Sequence, residues 1–354
     1  MKRTLQRQAG GKLEQPSFLQ PPITPMPVTA VSRFPVGDWM YEPKWDGFRC
    51  RIFRDGNNVF LQSRTGKSLT AAFPEIVKAV LNVDVDQFVL DGEVAIPTDA
   101  GFSFDLLVNR LRVSAARLAQ EVKANPAIYI AFDILADKSK SLLRASFSRR
   151  RRGLEEFFRK YGSGEGPLYL SANTSELGEV QNWINHIGLQ LDGVVAKKAD
   201  AIYDPGNKRA VLKIKRYRTV DCVVGGFRDR QIGSSRNSFL LGLWDSAGQL
   251  HYVGSADVDS EQRAGVGKLT PVKTTPFHER QPEQKSHWSG EPSGPWQSVK
   301  PLRVAEVRYD HFSDARFRHG CTLLRARPDK PAQDCGLDQV LPDNPVEQNL
   351  LLKR

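Results

Sequence analysis

Cysteine is scarce: Cys50, Cys222, Cys321 and Cys335 are the only four in 354 residues, and no two form a Cys-x-x-Cys pair. That spacing excludes a disulfide scaffold and the common zinc frameworks, and predicts reduced, packed thiols. The six histidines show no His-Glu-x-x-His or related spacing, so His311 and His319 are given no catalytic role. No apolar run approaches the ~20 residues that span a bilayer, and the first eight residues lack the apolar core of a secretion signal. Both absences predict a soluble cytoplasmic protein. A phosphate-loop motif is missing too. Gly265-Val266-Gly267-Lys268 looks like its end, but Gln262 replaces the first glycine and Leu269 the Ser or Thr.

What the chain has is positive charge. Lys and Arg number 51 against 40 Asp and Glu, a net +11, spread along the sequence instead of sitting in one tail. An acidic partner follows, nucleic acid before a membrane surface. The length predicts two domains. Residues 1–17 are polar, basic and aperiodic, a flexible tail. Residues 18–217 mix strands and helices without regular βαβ alternation, which predicts α+β with antiparallel sheets. Phe48, Cys50 and Ile52 alternate with Arg49, Arg51 and Phe53, and Asp55-Gly56-Asn57-Asn58 turns that strand into Val59–Ser63. Phe73, Ile76, Val77, Val80 and Leu81 fall at helical spacing, as do Leu177, Val180, Ile184 and Ile187 before a capping Gly188. Arg149–Arg152 precedes Leu154, Phe157 and Phe158 and predicts a solvated helix face ahead of a DNA contact. From 218 to 339 short strands split by glycine and polar turns predict a small barrel, with a short helix and a long loop over about 258–300. Residues 340–354 form a tail.

The richest stretch is Glu42-Pro43-Lys44-Trp45-Asp46-Gly47-Phe48-Arg49. A lysine nucleophile must be neutral, yet at an ordinary pKa of about 10.4 only roughly one in a thousand is so near neutral pH. Desolvation and neighbouring cations lower that value, and phosphoryl chemistry needs cations around the transferred group. A surface Lys-Asp turn is the plain alternative for this stretch alone. The rest of the chain agrees with the chemical reading. Asp91-Gly92-Glu93 puts two carboxylates on one strand face, with Gly92 allowing a ligand close approach. Phe132-Asp133, Asp192-Gly193-Val194 and Lys213-Ile214-Lys215 follow, then Arg327-Pro328-Asp329-Lys330. Singly, Phe132 reads as core and Lys213 with Lys215 as an exposed strand face.

Together with Ser63-Arg64-Thr65-Gly66-Lys67, these blocks resemble, in order, the motifs of the covalent nucleotidyltransferases, and specifically the bacterial ATP-dependent DNA ligases near ligase C and the ligase module of ligase D. The resemblance runs from about Phe18 to about Gln339. It implies a two-domain ligase core: an antiparallel-sheet, ATP-grasp-like nucleotidyltransferase domain, then a β-barrel OB-fold domain. It implies ATP and Mg²⁺, with Mn²⁺ as a substitute, and nick sealing through lysyl-AMP and DNA-adenylate. Lys44 would be the nucleophile, with Asp46, Arg49, Lys213, Lys215, Arg327, Asp329 and Lys330 as further catalytic groups. Glu42, Arg49, Arg64, Glu93, Phe132, Val194, Lys213 and Lys215 would hold the nucleotide, and Glu93 and Asp192 the metal. Asp192 departs from the family's commoner glutamate. The implied partners are nicked duplex DNA and a primase-type repair polymerase, with no membrane, the protein acting as a monomer in the cytoplasm, at the nucleoid when on DNA. Rival readings are a GTP-dependent RNA capping enzyme, an RNA ligase and a DNA-end binding module.

Overall fold

The computed structural model describes residues 19–98, 101–138, 140–162, 166–186, 193–215, 217–234, 237–279, 281–282, 294–313, 315–318, 320–340 and 352–353. The hairpin forms where the alternation places it. Phe48–Asp55 pairs antiparallel with Asn58–Ser63, and Asp55 faces Asn58 across a turn whose Gly56 has φ 60°. These strands belong to a sheet ordered Leu352–Lys353, Leu168–Ser171, Ile128–Asp137, Gln87–Ala95, Phe48–Asp55, Asn58–Ser63. The helices Pro74–Leu81 and Phe147–Tyr161 cover one face. Ile76, Val80, Leu154, Phe157 and Phe158 join Ile52, Leu61, Phe88, Leu90 and Ile134 in one core, each large apolar side chain contributing about 1.5–3 kcal/mol by burial.

A second sheet, ordered Thr29–Val31, Val211–Lys215, Gly193–Lys198, Trp39–Pro43, packs Val194, Ala196 and Ile214 against Ala95 and Ile130 of the first. Pairing is antiparallel except for Leu168–Ser171 on Ile128–Asp137 and Thr29–Val31 on Val211–Lys215. The two sheets leave a cleft between them.

Past Tyr217 the strands Arg218–Arg228, Ser238–Trp244, Leu250–Asp257, Cys321–Ala326 and Gln297–Tyr309 pair each with the next, and the last pairs back with the first. That ring, with Leu250–Asp257 and Cys321–Ala326 parallel, is the OB-type barrel, and its apolar interior is a separate core. The short helix of the long connection is Ser260–Gly265, closed at its N-terminus by a reciprocal Asp259–Gln262 capping box. The four cysteines are buried and unpaired with one another. Among the described residues no helix is long and apolar enough to cross a membrane.

Two expectations need correcting, and a third lies beyond the described residues. The arginine cluster is not a solvated face: Arg150 and Arg151 are buried while Arg149 and Arg152 are exposed. Asp133 inside the fold draws in Arg150, and Arg151 bonds the Ser171 carbonyl and Glu155 with Glu42 3.7 Å away. Gly92 does not make room for a ligand. A Cβ there would lie 2.5 Å from the Ile130 carbonyl oxygen and the Tyr129 ring, so the glycine admits the neighbouring strand and its tyrosine. In the helix Leu177–His186, Ile187 and the expected cap Gly188 lie outside the described residues.

Candidate active site

Lys44 is half-buried at the mouth of the strand Trp39–Pro43, and its backbone N–H donates to the Gly193 carbonyl at 3.0 Å. Gly193 has φ 133°, and a Cβ there would strike the Ile214 carbonyl, so only glycine brings that carbonyl to the lysine loop. Trp45 is fixed by its indole N–H on Ser171 Oγ at 2.8 Å. Lys44 thus sits between anchored neighbours on the wall of a cleft of about 480 Å³. Glu42, Arg49, Arg64, Glu93, Phe132 and Lys213 line the same cleft.

Buried partners hold the walls of the cleft. Arg49 makes two hydrogen bonds to Asp91, at 3.2 and 2.8 Å, and a third to the Met26 carbonyl. Burial would raise the Asp91 carboxyl, but Arg49, Arg51 and the Tyr203 hydroxyl outweigh it and hold it below the ordinary value. Glu42 is 2% exposed, 2.7 Å from Lys197 Nζ and 3.7 Å from an Arg151 nitrogen, and accepts from the Asn173 amide. Burial still raises its pKa against both cations. Lys197 Nζ also lies 4.2 Å from the Phe132 ring centroid, and Arg150 grips Asp133 with two nitrogens at 2.8 and 2.9 Å. Burial pushes the Glu93 carboxyl up to about 8, with Lys44 and Arg49 only partly offsetting it.

Other expected residues lie elsewhere. Val194 is fully buried in the core between the sheets, because a strand alternates faces; Val195, one residue on, lines the cleft. Val194 as a nucleotide contact is therefore a one-residue error. Asp46 turns from the cleft and takes Arg318 of the barrel with both oxygens, at 2.7 and 2.6 Å. Lys215 does not line the cleft and bonds Asp310 at 2.7 Å. Arg327 and Lys330 gather on Asp221 at 3.0 and 2.9 Å, with Asp329 bound to Arg327. Asp192 lies outside the described residues. Sequence reasoning missed Val195, Lys197, Arg150, Arg151 and Arg318. Only Val195 and Lys197 carried a usable signal, sharing one strand face at a spacing of two.

The family model described as the ATP dependent DNA ligase domain matches residues 23–215, and that of the ATP dependent DNA ligase C terminal region matches residues 232–330. DNA ligase C1 of Mycolicibacterium smegmatis is 36% identical over 346 residues, 94% of this chain and 97% of its own. DNA ligase C of Mycobacterium tuberculosis is 36% identical over 340 residues, 91% and 94% of the two chains. The multifunctional non-homologous end joining protein LigD of Mycolicibacterium smegmatis is 30% identical over 310 residues, which cover 85% of this chain but 37% of that protein. Among solved structures, a Lig E DNA ligase shares the fold at 14% identity and a TM-score of 0.50, over 86% of this chain and 99% of that one.

Proposed function

The chain belongs to the ATP-dependent DNA ligase family, and on that premise we propose that it seals 3′-hydroxyl/5′-phosphate nicks in duplex DNA with Lys44 as its nucleophile. The observation that carries this reading is the convergence of Lys44, Arg49, Arg64, Glu93, Phe132 and Lys213, from widely separated segments, on one cleft. Neutral Lys44 Nζ attacks the α-phosphorus of ATP; an N–P bond forms, the P–O bond to pyrophosphate breaks, and pyrophosphate leaves. Phe132 and Val195 hold the adenine, Glu42 reads its edge, and Arg49 and Arg64 hold the ribose and phosphate. Lys213 meets the α-phosphate and helps keep Lys44 neutral, with Lys215 behind it. The AMP then passes to the 5′-phosphate of the nick, and the 3′-hydroxyl displaces it.

Glu93 fits a hard divalent cation: its carboxyl is raised to about 8 among protein atoms alone, and a bound cation would favour its charged form. Glu93 and Asp192 would hold Mg²⁺ or Mn²⁺, which when bound offsets charge on the phosphates.

Residues 18–217 are assigned as the adenylation domain and 218–339 as the barrel domain, with 1–17 as a tail; 340–354, expected as a second tail, carries Leu352–Lys353 back to pair with Leu168–Ser171 at the edge of the first domain's sheet. Arg327, Asp329 and Lys330 serve the pyrophosphate in the first step; otherwise Arg327 and Lys330 rest on Asp221, and Asp329 on Arg327. The net charge of +11 supports duplex DNA as partner. A repair role at the nucleoid, as a monomer beside a primase-type polymerase, is the biological setting that suits a relative named for end joining.

The test is purified protein with Mg²⁺ and α-labelled ATP or, separately, GTP, resolved on a denaturing gel. We expect a labelled band with ATP that nicked DNA discharges, and none for Lys44→Ala. A band with GTP alone would transfer the protein to the capping class, and a labelled Lys44→Ala would remove Lys44 as nucleophile.

A further inference from the structure

Away from the cleft, the barrel brings two histidines and a glutamate together. His251 stands on the strand Leu250–Asp257, and the two-residue strand Phe277–His278 pairs beside it in parallel, putting His278 opposite His251. Glu279 follows with φ 54°, a left-handed conformation that a non-glycine residue adopts rarely. One ligand atom from each of His251, His278 and Glu279 lies within 4.8 Å of the other two. Among the described residues no other group of three or more His, Cys, Asp or Glu meets that condition. None of the three lines the cleft.

We propose that His251, His278 and Glu279 bind a divalent cation of the zinc class, which pins the edge strand Phe277–His278, and the long connection it belongs to, onto the barrel. The donor set decides the class. Two imidazoles and one carboxylate suit Zn²⁺ and its borderline neighbours, whereas Mg²⁺ and Ca²⁺ want oxygen alone.

A second observation points the same way. His251 Nε2 lies 2.8 Å from Asp245 Oδ2, and the other Asp245 oxygen accepts the backbone N–H groups of Ala247 and Gln249 at 2.9 and 2.8 Å. In the tautomer protonated on Nε2, the ring donates its N–H to that carboxylate and keeps a lone pair on Nδ1. Metal-bound histidines commonly have this arrangement, with a carboxylate orienting the ring from behind. Bonds of about 2.0–2.1 Å in tetrahedral geometry need donor separations of roughly 3.3–3.5 Å. His278 and Glu279 are exposed, at 45% and 71%, so their side chains are free to close that gap. Three protein donors leave the fourth position to water.

The test uses the full chain, stripped with chelator and titrated with Zn²⁺ by calorimetry in excess Mg²⁺, which occupies hard oxygen sites without competing for imidazole. We expect one Zn²⁺ site that is lost in His278→Ala and in His251→Ala. Glu279→Gln should weaken it, and Asp245→Asn should weaken it about 10- to 100-fold. Zn²⁺ should raise the melting temperature of the wild type and leave His278→Ala unmoved. Self-adenylation with Mg²⁺ and ATP serves as the folding control for every variant. Equal Zn²⁺ binding by wild type and both histidine variants, or no Zn²⁺ site in the wild type, would overturn the proposal. If a histidine variant fails the control, Glu279→Gln decides: unaltered affinity there also overturns it.

Discussion

Arg318→Ala tests whether the barrel's grip on Asp46 serves sealing or merely the fold. Both side chains are nearly buried, at 5% and 8% exposure, and two hydrogen bonds at 2.7 and 2.6 Å join them. Removing one partner of such a pair costs about 2–5 kcal/mol, much of it the charge left behind. Two features favour the lower end. Water reaches Asp46 as soon as the domains part, and His311 Nε2, 3.9 Å from the carboxylate, remains as a weaker partner. A loss of about 2–3 kcal/mol, at 1.4 kcal/mol per tenfold, is a factor of roughly 30 to 150. We expect that factor in single-turnover sealing of a pre-adenylated nick, while self-adenylation stays near wild type. Arg318→Lys should recover little, because a point charge cannot reproduce the two-pronged contact. Equal losses in both assays with a lowered melting temperature would make the pair structural, and undiminished sealing would make it idle.

Arg327→Ala should show the opposite split, losing lysyl-AMP formation while still sealing a pre-adenylated nick; failure on that substrate too would sink the assignment of Arg327 to the first step. Lys197→Met removes the cation 2.7 Å from Glu42 and over the Phe132 ring. A hydrogen bond to a charged group is worth about 1.5–3 kcal/mol, so KM for ATP in self-adenylation should rise by about tenfold or more; an unchanged KM would detach Glu42 from nucleotide recognition. Gly92→Ala should destabilise the first domain by about 1–3 kcal/mol in urea melts, because its Cβ overlaps Ile130 and Tyr129. A stability equal to wild type would show that those neighbours yield freely.

Much of the site was legible because strand periodicity carries it. Glu93 and Lys213 reach the cleft on strands whose alternation is plain, and Lys44, Arg49 and Phe132 stand in motifs that name their surroundings. The barrel was legible from short strands between glycines, although the parallel pairing that closes it joins segments far apart and leaves no local trace. What stayed hidden depends on partners. Nothing near Arg149–Arg152 says that Asp133 and the Ser171 carbonyl will hold its middle pair inside, since a charge run looks the same on a solvated face. The Val194 error arose where a motif was followed without applying the period of two to its last residues. Arg318 had no signal at all, because its value lies in a contact with Asp46 across the domain boundary.

The barrel carries two sets of cations relevant to Lys44, and they are separated by the strand Cys321–Ala326. Its six residues span about 20 Å at 3.3 Å each. Arg318 precedes the strand and Arg327 follows it. Arg318 holds Asp46, two residues from the nucleophile, while Arg327 rests on Asp221. In the proposed cycle Arg327 and Lys330 serve the first step and Arg318 the sealing step, which would take two orientations of the barrel. A ligand shifts such an equilibrium only through its different affinity for the two states. ATP has that difference, because its β- and γ-phosphates attract Arg327 and Lys330 more strongly than a single carboxylate does. Once pyrophosphate leaves, the attraction goes with it, and Asp221 and Asp46 recover their partners. On the proposed cycle, loss of the nucleotide's own charge in the first step would return the barrel to the orientation in which the nick is sealed.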